Sequence, residues 1–182
     1  MTTPAKSIAV YCSSTDGLDD RFVDAARQTG HIIASRGLGL VYGGGGVGLM
    51  GDAARAALEA GGHVMGVIPK FMVEAERAML DVTEQHVVTT MAERKGIMEE
   101  RADAFIALPG GVGTLDEIFE AITGLVLSLH SKPIVFVNID GFYSPLWRFM
   151  EHASQLGVIS PKTLKRISVV DTPQQAIDAT GL

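Results

Sequence analysis

Cysteine is almost absent from this sequence. Cys12 stands alone among 182 residues, so no intrachain disulfide can close and no thiolate cage for a metal can be built. Basic residues are not in excess either: 15 Lys and Arg against 21 Asp and Glu leave a formal charge of -6, with a pI near 5.3. That balance excludes a broad basic face for polymeric nucleic acid or an anionic membrane, although a small anion needs only a local cluster. Long hydrophobic runs are also missing. The first apolar run, from Ile8 to Cys12, is too short for a signal-peptide core or a membrane span, and with the solitary cysteine it points to a reducing cytoplasm. The 5 histidines show no metal-ligand spacing. No glycine run ends in Gly-Lys-Ser or Gly-Lys-Thr, so no Walker A loop is present.

What is present is a chain that is 47% hydrophobic, enough for one sizeable core and hence a single domain over residues 1–182. Short apolar runs alternate with longer amphipathic stretches, with no repeat or linker between them. The pattern predicts strands at Ser7 to Cys12, Gly39 to Tyr42, His63 to Ile68, Gln85 to Thr89, Ala104 to Leu108, Pro133 to Val137 and Ile167 to Val170. Helices are predicted at Asp19 to Ser35, Leu49 to Glu59, Met91 to Arg101, Leu115 to Leu129, Tyr143 to Leu156 and Gln174 to Ala179. Strands alternating with helices of this length imply an α/β fold, a Rossmann-like doubly wound parallel sheet with helices on both faces. Ligands in such folds bind beyond the carboxyl ends of the strands.

Two strand-to-helix segments are rich in glycine, Gly43 to Gly51 and Pro109 to Thr114. Glycine lets the backbone approach a ligand, and a helix start offers unpaired N–H groups, so phosphate is the natural guest; a tight packing turn is the competing reading. Gly43-x-Gly45-x-x-Gly48 matches the dinucleotide fingerprint in form. It follows the second predicted strand rather than the first, and the next strand ends at Ile68-Pro69-Lys70 without an acid for a ribose diol, so NAD binding is not supported.

The segment Pro109-Gly110-Gly111-x-Gly113-Thr114-x-x-Glu117 reproduces the P-G-G-x-G-T-x-x-E signature of the Lonely Guy family, the cytokinin-activating phosphoribohydrolases. Met91-Ala92-Glu93-Arg94-Lys95, the Gly43 to Gly51 loop, His130-Ser131-Lys132-Pro133 and Asn138-Ile139-Asp140-Gly141-Phe142-Tyr143 resemble further elements of that family, in the family's order and over most of the chain. The resemblance implies hydrolysis of the N-glycosidic bond of plain or N6-modified adenosine 5'-monophosphates, without a cofactor or metal, by a homodimer or an assembly of dimers. It makes Arg94 and Glu117 the catalytic residues. Carried over position by position, it makes Gly44, Gly45, Glu76, Met91, Lys95, Gly110, Gly111, Val112, Gly113, Thr114 and Thr123 substrate contacts. A carboxylate at Glu117 suits the oxocarbenium-like charge that builds on the ribose, and the Gly111 to Thr114 backbone suits the phosphate.

Structural readings compete at each position. Thr114-x-x-Glu117 taken alone is a capping box, and Arg94 beside Glu93, Glu99 and Glu100 reads as a solvated helix face with ion pairs. The linked motifs reverse both readings of role, with Arg94 still expected to be an exposed helix arginine whose loss abolishes activity but spares the fold. Ala92, Gly46, Gly124 and Val126 depart from the family pattern, Gly124 and Val126 standing where a Trp and a Gln are usual. Two other functions compete with hydrolysis. One is a nucleotide sensor without turnover; the other is a lysine decarboxylase, which needs a pyridoxal phosphate Schiff base that only Lys95 is placed to form. Finally, Ile118, Phe119, Ile122, Leu125, Val126, Leu127 and Leu129 spread apolar surface around most of one helix. A second subunit is expected to cover part of it, unless the chain from Pro145 onward does so.

Overall fold

The computed structural model describes residues 4–74 and 78–182, apart from the side chain of Glu74. Its strands are β1 (Ser7–Tyr11), β2 (Gly39–Tyr42), β3 (His63–Pro69), β4 (Glu84–Val88), β5 (Ala104–Ala107), β6 (Ile134–Val137) and β7 (Ile167–Val170). They form one 7-stranded sheet in the order β4-β3-β2-β1-β5-β6-β7, and every pairing is parallel. Period-two alternation sends neighbouring side chains to opposite faces. Ile8 and Val10 join the core under α1 (Asp20–Ser35), α2 (Gly48–Glu59) and α8 (Pro173–Thr180). Ala9 and Tyr11 join the core under α4 (Met91–Arg101), α5 (Val112–Val126) and α6 (Ser144–Gln155). The expected doubly wound sheet with helices on both faces is what forms.

The chain runs outward from β1 through β2 and β3 to β4, then returns to β5 on the other flank of β1. The loops after β1 and β5 therefore diverge, leaving the crevice in which such sheets hold ligands.

Three short elements escape the sequence pattern: α3 (Lys70–Glu74), α7 (Pro161–Leu164) and a 3-10 turn at Ile139–Gly141. Each is too short to display two turns of periodicity. The larger boundary error is α5, predicted from Leu115 to Leu129. It begins three residues earlier because its first turn is built of glycine-rich sequence that reads as loop. It ends at Val126 because Ser128 adopts a left-handed conformation (φ 61), letting Leu129 N–H bond the Gly124 carbonyl at 2.9 Å. Glycine usually signals that stop, and serine does not.

Candidate active site

The site is assembled from the starts of α4 and α5 and the ends of β2 and β3. Helix α4 starts where it does because Thr90 caps it: Glu93 N–H donates to Thr90 Oγ1 at 3.1 Å, and the Glu93 carboxylate accepts from Thr89 and Thr90 N–H at 2.8 and 3.1 Å. This reciprocal box fixes the first turn and sends the next residue, Arg94, inward. Arg94 is only 4% exposed. Its Nε donates to the Val67 carbonyl at 3.0 Å and its Nη1 to Glu117 Oε1 at 2.5 Å. Gly43 makes room for the guanidinium, since a Cβ there would lie 1.8 Å from Arg94 Nη2.

Glu117 is 8% exposed. Burial pushes its carboxyl above the usual glutamate range, against the opposing pull of Arg94. Two sequence-based alternatives are thereby corrected. Arg94 lies on no solvated face, and its removal cannot spare the fold as an exposed arginine would. Glu117 caps nothing: the N-cap of α5 is Gly111, which has no side-chain cap, and Glu117 sits in the second turn. The capping box belongs instead to Thr90 and Glu93, where the same T-x-x-E spacing was available to be read.

The two glycine runs, alike in sequence, prove unlike in structure. At the start of α2, Gly48 N–H already donates to Asp16 Oδ1 at 2.8 Å and Met50 N–H to the Ser13 carbonyl at 3.3 Å, so an internal carboxylate holds the anion position. Gly44 accepts from Met79 N–H at 3.0 Å and Gly45 bridges to Ala78. At the start of α5, the N–H groups of Val112, Gly113 and Thr114 have no helical acceptor upstream. Gly111, Val112 and Gly113 are exposed. Thr114 is buried and packs beneath Gly110, where a Cβ would lie 2.1 Å from its hydroxyl. The α5 start thus presents its backbone N–H groups at the surface, one helical turn from Glu117.

Other expected contacts are dispersed. Lys95 is held by Asp116 at 2.9 Å and Glu120 at 2.7 Å. Met91 is 40% exposed at the rim. Thr123 is exposed and bonds back to the Phe119 carbonyl at 2.8 Å. Glu76 lies outside the described residues. Sequence reasoning missed the Val67 carbonyl, which carries no side-chain signal, and Asp16, an unremarked loop acid. A groove of about 570 Å3 between α1 and α2 exceeds the niche of about 150 Å3 beside the Pro109–Gly111 loop, but its Arg27 and Arg55 are already shared by Asp52.

Known proteins resemble this chain over most of its length. The family described as possible lysine decarboxylase matches residues 50–180. A cytokinin riboside 5'-monophosphate phosphoribohydrolase of Rhodococcoides fascians is 47% identical over 175 residues, 96% of this chain and 88% of that protein. One from Arabidopsis thaliana is 41% identical, covering 94% of this chain and 80% of its own length. The chain belongs to the Lonely Guy family. Among solved structures, the molybdenum cofactor carrier protein of Chlamydomonas reinhardtii superposes with a TM-score of 0.74 at 22% identity, over 99% of this chain and 97% of that one. At that identity the likeness concerns the fold alone, which Lonely Guy proteins and this carrier share. The decarboxylase description does not fit the residues of this Lonely Guy chain. Bonding to Glu120 and Asp116 raises the Lys95 pKa, whereas a Schiff-base lysine must readily lose its proton.

Proposed function

We propose that this protein hydrolyses the N-glycosidic bond of adenosine 5'-monophosphates, plain or N6-modified, to free base and ribose 5-phosphate. The observation that carries the reading is the buried Arg94–Glu117 pair set one turn behind the exposed glycine-rich start of α5. The 5'-phosphate bonds the Val112, Gly113 and Thr114 N–H groups and the Thr114 hydroxyl, anchoring the nucleotide at the positive end of α5. The ribose then reaches the Glu117 carboxylate. As the C1'–N9 bond breaks, its electron pair leaves with the base. Glu117 stabilises the positive charge left on the ribose and orients a water whose oxygen bonds C1'; the base takes up a proton, so one water is consumed. Arg94, fixed by the Val67 carbonyl, holds the carboxylate aimed and opposes the burial that favours its protonation. Substrate contacts of Gly44, Gly45, Met91 and Thr123 rest on the family resemblance alone.

The names of the relatives support the substrate class, and the acidic chain with its single cysteine supports a cytoplasmic place of action. We further propose a homodimer, on the exposed apolar residues at and just beyond the end of α5 (Val126, Leu127 and Leu129). Release of adenine and N6-isopentenyladenine from their 5'-monophosphates is the test. Cleavage of the monophosphates far faster than the nucleosides is expected, and equal rates with adenosine and AMP contradict the phosphate anchor.

A further inference from the structure

The segment Asn138-Ile139-Asp140-Gly141-Phe142-Tyr143 stands out in the sequence, yet no step of the proposed reaction uses it. It follows β6 and makes a sharp reversal through two successive left-handed residues, Asp140 (φ 49) and Gly141 (φ 76). A non-glycine residue held there is strained and persists only when its surroundings enforce it. They do so from three directions. Asn138 N–H bonds the Val170 carbonyl at 2.7 Å; Asn138 Oδ1 accepts from Tyr143 N–H at 2.7 Å while its Nδ2 donates to Ser144 Oγ at 3.1 Å; and Arg21 of α1 bonds the Asp140 carboxylate. The Tyr143 ring is gripped edge-on by Phe136 and Phe142, at 5.0 and 4.9 Å between centroids.

All of this delivers one atom. The Tyr143 hydroxyl donates to the Leu108 carbonyl at 2.6 Å, the last backbone acceptor before Pro109-Gly110-Gly111. Leu108 N–H bonds the Tyr11 carbonyl at 3.0 Å and the Pro109 carbonyl accepts from Ser13 N–H at 3.2 Å. The root of the loop is therefore held by the β1 side and by Tyr143. Phe142 adds a wall, lining with Phe22, Leu18 and the loop itself a niche of about 150 Å3. Tyr143 is 3% exposed, and burial pushes its phenol well above the usual range, so it stays a proton donor and does not titrate.

We infer that Tyr143 is a positioning residue: its hydroxyl fixes the Leu108 carbonyl and so aims the N–H groups from Val112 to Thr114 at the substrate phosphate. This rests on the reading that the α5 start takes the 5'-phosphate. The turn from Asn138 to Tyr143 is then the outer half of the phosphate site, touching no substrate atom.

Tyr143→Phe removes a single oxygen and tests the inference. The KM for AMP and the competitive inhibition constant of ribose 5-phosphate are expected to rise together by about tenfold, the weight of one buried hydrogen bond. The kcat for AMP stays near wild type, and kcat/KM for adenosine, which lacks the phosphate, does not change. Asn138→Ala, assayed beside it, leaves the phenol in place but frees its backbone, and must show the same split; it carries the test if Tyr143→Phe does not fold. A folded variant with a lower melting temperature and an unchanged inhibition constant for ribose 5-phosphate overturns the inference and leaves a merely structural tyrosine. If ribose 5-phosphate fails to inhibit the wild-type protein, the phosphate-site reading itself is wrong and the inference falls with it, so the two failures are told apart.

Discussion

Arg94 and Glu117 share a site where water is nearly excluded, at 4% and 8% exposure. A buried ion pair gains little net stability because desolvating both charges offsets their attraction, but removing one partner strands the other. Arg94→Ala is therefore expected to lower stability by about 3–5 kcal/mol as well as removing activity; a variant that melts with the wild type contradicts the buried pairing. Glu117→Gln keeps the volume and a hydrogen-bonding oxygen for Arg94, and its turnover falls by roughly a hundredfold, as loss of a transition-state electrostatic contact does. Because burial raises the Glu117 pKa and the carboxylate is the working form, acidification protonates it sooner than an ordinary glutamate. The acid limb of kcat/KM is expected above about 4.3, the usual glutamate value; a limb at or below that value means that a different group controls the reaction. The linked motifs single out both residues as candidates. Their burial was not legible, because a charged residue between other charges on a helix looks solvated until the neighbouring strand ends are in place.

At the scale of elements, the glycine loops show what periodicity reveals and what it leaves out. Alternating strands and helices place both loops at the carboxyl ends of strands, and that much is readable. Which helix start is open depends on Asp16, a loop acid 32 residues from Gly48, and no local pattern relates the two. The Thr90 capping box was readable, and it explains why Arg94, next after Glu93, points inward. Gly43 illustrates the opposite case: in sequence it is one glycine in a run, and in the fold it is the notch that admits the Arg94 guanidinium. Gly43→Ala is expected to displace Arg94, with a loss of kcat close to that of Arg94→Ala, because a methyl 1.8 Å from Nη2 cannot coexist with the pair. Gly46→Ala, where a Cβ meets nothing closer than 3.5 Å, is the control and keeps its activity. Equal activity in the two variants removes the notch from the account.

For the whole molecule, the apolar circumference of α5 resolves into two halves. Ile118, Ile122 and Leu125 are buried against the sheet, while Val126, Leu127 and Leu129 are 54%, 64% and 76% exposed. The carboxy-terminal segment, the other candidate cover, reaches only the edge: Arg166 bonds the Leu125 carbonyl at 3.1 Å, and Ser160, Lys162 and Thr163 border Val126 without enclosing it. Three large side chains in four residues are more apolar surface than scattered exposure explains. A copy of the same patch related by two-fold symmetry is the simplest partner, because an isologous interface buries it on both subunits at once. Val126 closes the helix that carries Glu117 in its second turn, so the expected pairing would bear on the element on which the proposed reaction depends. Light scattering at low micromolar concentration is expected to show a dimer or a multiple of it; a stable 19.3 kDa species with full activity rules this out. Val126→Glu sharpens the test. Its site is open to solvent in the single chain, so the fold tolerates the charge, whereas across an interface it places two carboxylates in apolar surroundings. The expected product is a folded monomer with impaired turnover, and a fully active dimer would place the interface elsewhere.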